Sequence, residues 1–78
     1  MDNNHSIRHY SVIHFNNLLA GDEEKILQMA LNFDIVPLKK SNTCYKYTFE
    51  AFSKVQLQSF EAKLKKSGFI FSSKQFSK

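Results

Sequence analysis

The run Thr43-Cys44-Tyr45-Lys46-Tyr47-Thr48-Phe49-Glu50-Ala51 constrains the fold more than any other stretch of the chain. As a strand it sends Tyr45, Tyr47, Phe49 and Ala51 to one face and Cys44, Lys46, Thr48 and Glu50 to the other. A strand divided in this way is covered on one side only, which calls for one layer of sheet against a layer of helices. The aromatic face has to be the covered one. Helices packed on Lys46 and Glu50 would bury two charges without evident partners, at a cost of several kcal/mol.

The neighbouring segments supply the cover. Ile7 to Phe15 reads as a first strand with mixed faces, Tyr10 and Val12 alternating one way and Ile13 and Phe15 the other; a bulge would account for the mixture. Asn16-Asn17 ends it. Gly21-Asp22-Glu23-Glu24 then opens a helix, with acids at the positive end of its dipole and Ile26, Leu27, Ala30, Leu31 and Phe33 at helical spacing. Asp34 to Lys40 is the second strand, with Val36 and Leu38 on one face. Pro37 has no N–H to give a ladder, which puts this strand at a sheet edge. Lys39-Lys40-Ser41-Asn42 is the turn that makes strands two and three a hairpin.

The second helix is announced by Ser53 as N-cap, by Gln56 completing a capping box, and by Phe52 and Leu57 as a hydrophobic staple. Leu57, Phe60 and Leu64 form its buried stripe; Lys63, Lys65 and Lys66 occupy its last turn, with Gly68 just beyond. Phe69 to Phe71 opens a last strand that runs into a polar tail. Residues 1–78 are expected to form one domain, with 1–6 and 75–78 frayed.

The order β-α-β-β-α-β with right-handed crossovers predicts an α+β, ferredoxin-like sandwich: a four-stranded antiparallel sheet in the order 4-1-3-2 with two helices on one face. In that order strand two is an edge and strand three is central, as Pro37 and the Tyr/Phe face each require on separate grounds. Eight Phe and three Tyr make the core aromatic, each contributing about 2–3 kcal/mol when buried. The single Cys44 forms no internal disulfide, so a reducing cytoplasm is the expected compartment. No apolar run reaches the roughly 18–20 residues that span a bilayer, and Met1-Asp2-Asn3-Asn4-His5 has the character of no signal peptide.

Catalytic and metal chemistry find little to work with. His5, His9, His14 and Cys44 are the conventional ligands or nucleophiles, but the odd spacing of His9 and His14 puts them on opposite faces of a strand. A His14–Cys44 pair across adjacent strands would lack the third, orienting group. Asp22, Glu23 and Glu24 point about 100° apart around a helix and are explained by its dipole. Two distant glycines, Gly21 and Gly68, make no phosphate loop. No cofactor, metal or catalytic residue is expected. The RNA-recognition motif shares the topology, but its Gly-aromatic-small-aromatic signature is missing.

Charge is the remaining signal. Residues 1–38 carry two basic and five acidic side chains, residues 39–78 nine basic and two acidic, which is −3 against +7. Lys39 and Lys40 in the turn, Lys46 on the open face, Lys63, Lys65 and Lys66 at the end of the second helix, and Lys74 are the candidates for one or two patches that meet phosphates or an acidic protein surface. Cys44 and Thr48 would add open-face area.

The run Tyr10-Ser11-Val12-Ile13-His14-Phe15, followed by Asp22-Glu23-Glu24 and by Phe33-Asp34-Ile35-Val36, resembles the first half of the RNase E inhibitor RraB family over residues 10–36. The resemblance implies a ferredoxin-like domain that acts by binding an RNA-processing enzyme. The second half departs from it: Phe69-Ile70-Phe71-Ser72-Ser73 has no counterpart of the family's terminal Tyr-Asp-Gly-Trp pattern, and this chain is basic where those proteins are acidic. A small domain without a catalytic set also resembles phage- or plasmid-encoded inhibitors of host enzymes, anti-defence proteins among them. The expectation is therefore a non-enzymatic module that regulates or inhibits a larger nucleic-acid-handling protein. The alternatives are direct RNA or DNA binding through the lysines and a structural homodimer joined by edge strands.

Overall fold

Alternation and capping chemistry divide the chain into β1 (His9–Phe15), α1 (Asp22–Asn32), β2 (Val36–Ser41), β3 (Lys46–Ala51), α2 (Lys54–Lys66) and β4 (Phe71–Ser77). They come from a computed structural model that describes residues 7–41 and 45–78. The four strands form one antiparallel sheet in the order β2-β3-β1-β4, so β2 and β4 are its edges and β3 and β1 its centre. The class is α+β, with two helices and this sheet.

The alternation predicted for β3 is realised. Tyr47, Phe49 and Ala51 are buried, while Lys46 is exposed and Thr48 and Glu50 are half-buried on the opposite face. From β1, Ile13 and Phe15 join them, and the helices close the layer with Ile26, Ala30, Leu57, Phe60 and Leu64. Aromatic edges and faces interlock inside it: Phe49 meets Phe60 edge-on with ring centres 5.0 Å apart, and Phe15 meets Tyr47 at 5.5 Å. Such pairs add about 0.5–1.5 kcal/mol beyond their buried area.

The mixed faces of β1 are resolved without a bulge in that strand. Its registers with β3 and β4 are continuous, and Ser11, Ile13 and Phe15 all face the helices while Tyr10, Val12 and His14 face away. The bulge lies in β2 instead, between Pro37 and Lys39. Val36 and Leu38 consequently do not share a face: Val36 pairs with open-face Glu50, whereas Leu38 lines a cleft with Glu23, Leu27 and Tyr47 on the helix side.

Both helices end in a Schellman turn, where a left-handed residue lets two N–H groups reach back to otherwise orphaned carbonyls. After α2, Gly68 (φ 98°) fills that position, with Gly68 N–H donating to Lys65 and Phe69 N–H to Leu64. After α1 the position is held by Asp34 (φ 58°), with Asp34 N–H donating to Leu31 and Ile35 N–H to Ala30. Asp34 is thus a turn residue and not the start of a strand, because aspartate tolerates a left-handed backbone that β2 could not use. Leu31, at helical spacing with the buried Ile26 and Ala30, is itself 65% exposed.

At the start of α2 the capping box is complete. Gln56 N–H donates to Ser53 Oγ at 3.2 Å, and Ser53 N–H to Gln56 Oε1 at 3.0 Å. Phe52 makes no buried staple with Leu57: it lies 64% exposed beneath the Arg8 guanidinium, 4.8 Å from its ring centre. Three further boundaries move. Lys39 and Lys40, read both as the end of the second strand and as the turn after it, lie in β2, which runs on through the expected turn residue Ser41; Tyr45 (φ 50°) is a turn residue, 40% exposed, and not a core residue of β3; and Gln75–Ser77, expected to fray, belong to β4. The expected turn residue Asn42, the start of the predicted third strand at Thr43 and Cys44, and the tail 1–6 lie outside the described residues.

Candidate functional site: the open face of the sheet

With both helices on one face, no described element covers the other, and strand register fixes what it displays. One row across the sheet runs Val36, Glu50, Tyr10, Phe76; the next runs Thr48, Val12, Lys74; the third runs Lys46, His14, Ser72. The first row is largely apolar and internally tied. Tyr10 and Phe76 stack at 5.0 Å with planes 12° apart, the Tyr10 hydroxyl donates to Glu50 Oε2 at 3.1 Å, and Lys78 Nζ lies 5.8 Å from the Phe76 ring centre. Partial burial, and after it the Glu50 carboxylate, pushes the Tyr10 phenol above its ordinary pKa. The other two rows set cations on small residues: Lys46 and Lys74 are exposed, and Val12 and Thr48 form a half-buried floor between them.

The predicted lysines do not form one patch. Lys46 and Lys74 stand on the open face, and the backbone of Lys39 pairs with that of Thr48 in the register of β2 and β3. Lys40 pairs with inward-facing Tyr47 and reaches Glu23 Oε2 at 2.7 Å, joining β2 to α1. An exposed pair of this kind contributes about 0–1 kcal/mol. Burial, followed by the charge of Glu23, raises the pKa of the Tyr47 phenol beside it. Lys63, Lys65 and Lys66 end α2 on the helix side, where Lys65 Nζ lies 5.9 Å from the Phe71 ring centre. Thr48 is on the open face as expected; Cys44 lies outside the described residues.

The histidines also separate. His9 Nδ1 is 2.8 Å from Ser77 Oγ on the inward side, His14 faces outward, and His5 lies outside the described residues. Among the described residues no three His, Cys, Asp or Glu side chains converge as metal ligands would. Nor is any described helix long and apolar enough to cross a membrane.

One cluster has no place among the expected sites. Glu61, on α2, accepts hydrogen bonds from Ser11 Oγ (2.7 Å) and Gln75 Nε2 (2.9 Å) at Oε2, and from Ser73 Oγ (2.7 Å) at Oε1. Ser11 is fully buried, and the carboxylate ties both β1 and β4 to the helix. The signal for it is Glu61 itself, which takes the i+4 position of the Leu57, Phe60, Leu64 stripe, where an acid has to find donors.

Neither family models, curated proteins nor solved structures give a match to this chain.

Proposed function

We propose that the chain is a non-enzymatic binding module of ferredoxin-like architecture, which regulates or inhibits a larger nucleic-acid-handling protein by docking its open sheet face on an acidic surface. The strand order read from the β4 edge, 4-1-3-2, and the βαββαβ sequence of elements support the architecture. The resemblance over residues 10–36 to a family of RNase inhibitors supports the kind of partner.

One observation carries the docking: the face that contributes nothing to the core combines the Tyr10–Phe76 pair and Val36 with the exposed amines of Lys46 and Lys74. Aromatic and aliphatic area supplies contact, and the lysines steer an acidic partner and fix register. A phosphate track would require cations aligned along one path, whereas Lys40, Lys63, Lys65 and Lys66 point elsewhere.

The test is a tagged pull-down from lysate with and without nuclease treatment, using the wild type and the double substitution Lys46→Glu, Lys74→Glu. Both side chains are exposed, so thermal unfolding stays within about 0.5 kcal/mol of wild type. Recovery of the partner is expected to drop roughly tenfold or more, since like charges would then oppose across the contact. Equal recovery overturns the reading. Direct nucleic-acid binding has its own support in the Tyr10–Phe76 pair beside Lys74, a geometry on which a base could stack. It is separated by the same experiment: recovery that vanishes with nuclease, and affinity that falls steeply with salt, belong to that mechanism.

A further inference from the structure

The two sheet edges are unequal. β2 is guarded: Pro37 offers no N–H, and the bulge at Pro37/Lys39 breaks its line. β4 has neither device. It pairs with β1 in unbroken register from His9↔Ser77 to Phe15↔Phe71 and neighbours no other strand among the described residues.

Backbone hydrogen bonds show which of its groups point outward. Arg8 and Lys78 exchange N–H and C=O at 2.9 and 3.0 Å, and Asn16 N–H donates to the Ile70 carbonyl at 2.9 Å. Bonded pairs alternate in an antiparallel ladder, so Ser72, Lys74 and Phe76 also bond to β1. The N–H and C=O groups of Phe71, Ser73, Gln75 and Ser77 therefore face away from the sheet. They form a row of donors and acceptors with no backbone partner among the described residues. The strand is also held ready. Glu61 fixes Ser73 and Gln75 from the helix side, and Tyr10 stacks on Phe76 from the open side. A ligand pairing with it need not bear the cost of ordering it.

We propose that this edge takes up an extended, acidic segment of a protein partner as a fifth strand. Main-chain bonds to the four outward residues would supply affinity, as in other strand-addition complexes. The sign of the partner follows from charge. Lys74 stands on the strand, Lys78 and Lys65 lie beside Phe76 and Phe71, and residues 69–78 contain no acid. A second copy of this chain is the poorer occupant, because it brings a like net charge of +4 and an equally basic strand. The inference rests on the proposed function for the premise of an acidic protein partner and shares Lys74 and Phe76 with it; the outward backbone of Phe71, Ser73, Gln75 and Ser77 belongs to the edge alone, and Lys46 to the open face alone.

The test titrates the full chain with a capped peptide of alternating glutamate and valine, and follows amide hydrogen exchange by NMR. The amides of Phe71, Ser73, Gln75 and Ser77 are expected to slow by roughly tenfold or more. A lysine–valine peptide is expected to have little effect. Gln75→Pro, which deletes an outward N–H, should abolish the protection; Lys74→Glu, which keeps the ladder intact, should shift preference toward the lysine peptide. Lys46→Glu, on the open face away from the edge, should leave strand addition unchanged. No protection by the glutamate peptide overturns the proposal, as does equal protection by both peptides. Protection that grows with protein concentration alone makes a second copy the occupant and overturns it too. Loss of strand addition while capture still depends on Lys46 removes the edge and leaves the open-face reading standing.

Discussion

Replacing Phe49 by alanine is expected to cost about 3–5 kcal/mol and to leave the domain largely unfolded at physiological temperature. Phe49 has no exposed surface. It sits in a central strand, meets Phe60 edge-on at 5.0 Å and lies 6.1 Å from Tyr47, so its removal opens a cavity where sheet and α2 meet. A chain of 78 residues has a total stability of about 4–12 kcal/mol, which makes this loss a large fraction of the whole. Phe49→Leu keeps most of the volume and should cost about 1–2 kcal/mol. Urea unfolding followed by near-ultraviolet circular dichroism reads both. A Phe49→Ala protein within about 1 kcal/mol of wild type would mean that the aromatic face of β3 is not the core.

The second large effect is expected at Glu61. Glu61→Ala removes the acceptor for Ser11, Ser73 and Gln75 together and strands the fully buried Ser11 hydroxyl without a partner. Hydrogen bonds to a charged group contribute about 1.5–3 kcal/mol, and an unsatisfied buried donor costs about 1–3 kcal/mol, so a loss of about 2–4 kcal/mol is expected. Ser11→Ala alone should cost about 1 kcal/mol, since Glu61 keeps two donors and some contact with water. The double variant should then be more stable than the sum of the singles predicts, by about 1 kcal/mol or more. Strict additivity, or a Glu61→Ala protein within about 0.5 kcal/mol of wild type, would show that the carboxylate does not hold β1 and β4 to the helix.

These two residues also show where the sequence was legible. Phe49 was, because an alternating run in one strand reports directly which face is covered. The capping box at Ser53 and Gln56 and the glycine after α2 were legible for the same reason: each signal and its structural consequence lie within a few residues. Glu61 was not, since its partners are 12 to 50 residues away and none is apolar. That distance also explains the ambiguity of β1: Ser11 looks like a solvent-facing residue until a carboxylate from α2 is brought to it, and Tyr10 looks like core until Phe76 covers it from the open side. The left-handed Asp34 and Tyr45 and the bulge after Pro37 shifted the ends of β2 and β3, because turn geometry depends on how the flanking strands are anchored as well as on local residue type. The lysines could be counted in the sequence, but their division between two faces needed the register.

The central claim, that the uncovered sheet face is the binding surface, is tested most directly by chemical footprinting of the captured, nuclease-treated complex with an amine-acetylating reagent read by mass spectrometry. Lys46 and Lys74 are predicted to label several-fold more slowly in the complex than in the free protein, while Lys63 and Lys66 at the end of α2 label at the same rate in both. Protection of Lys63 and Lys66 with free labelling of Lys46 and Lys74 would contradict the account and place the partner on the helices.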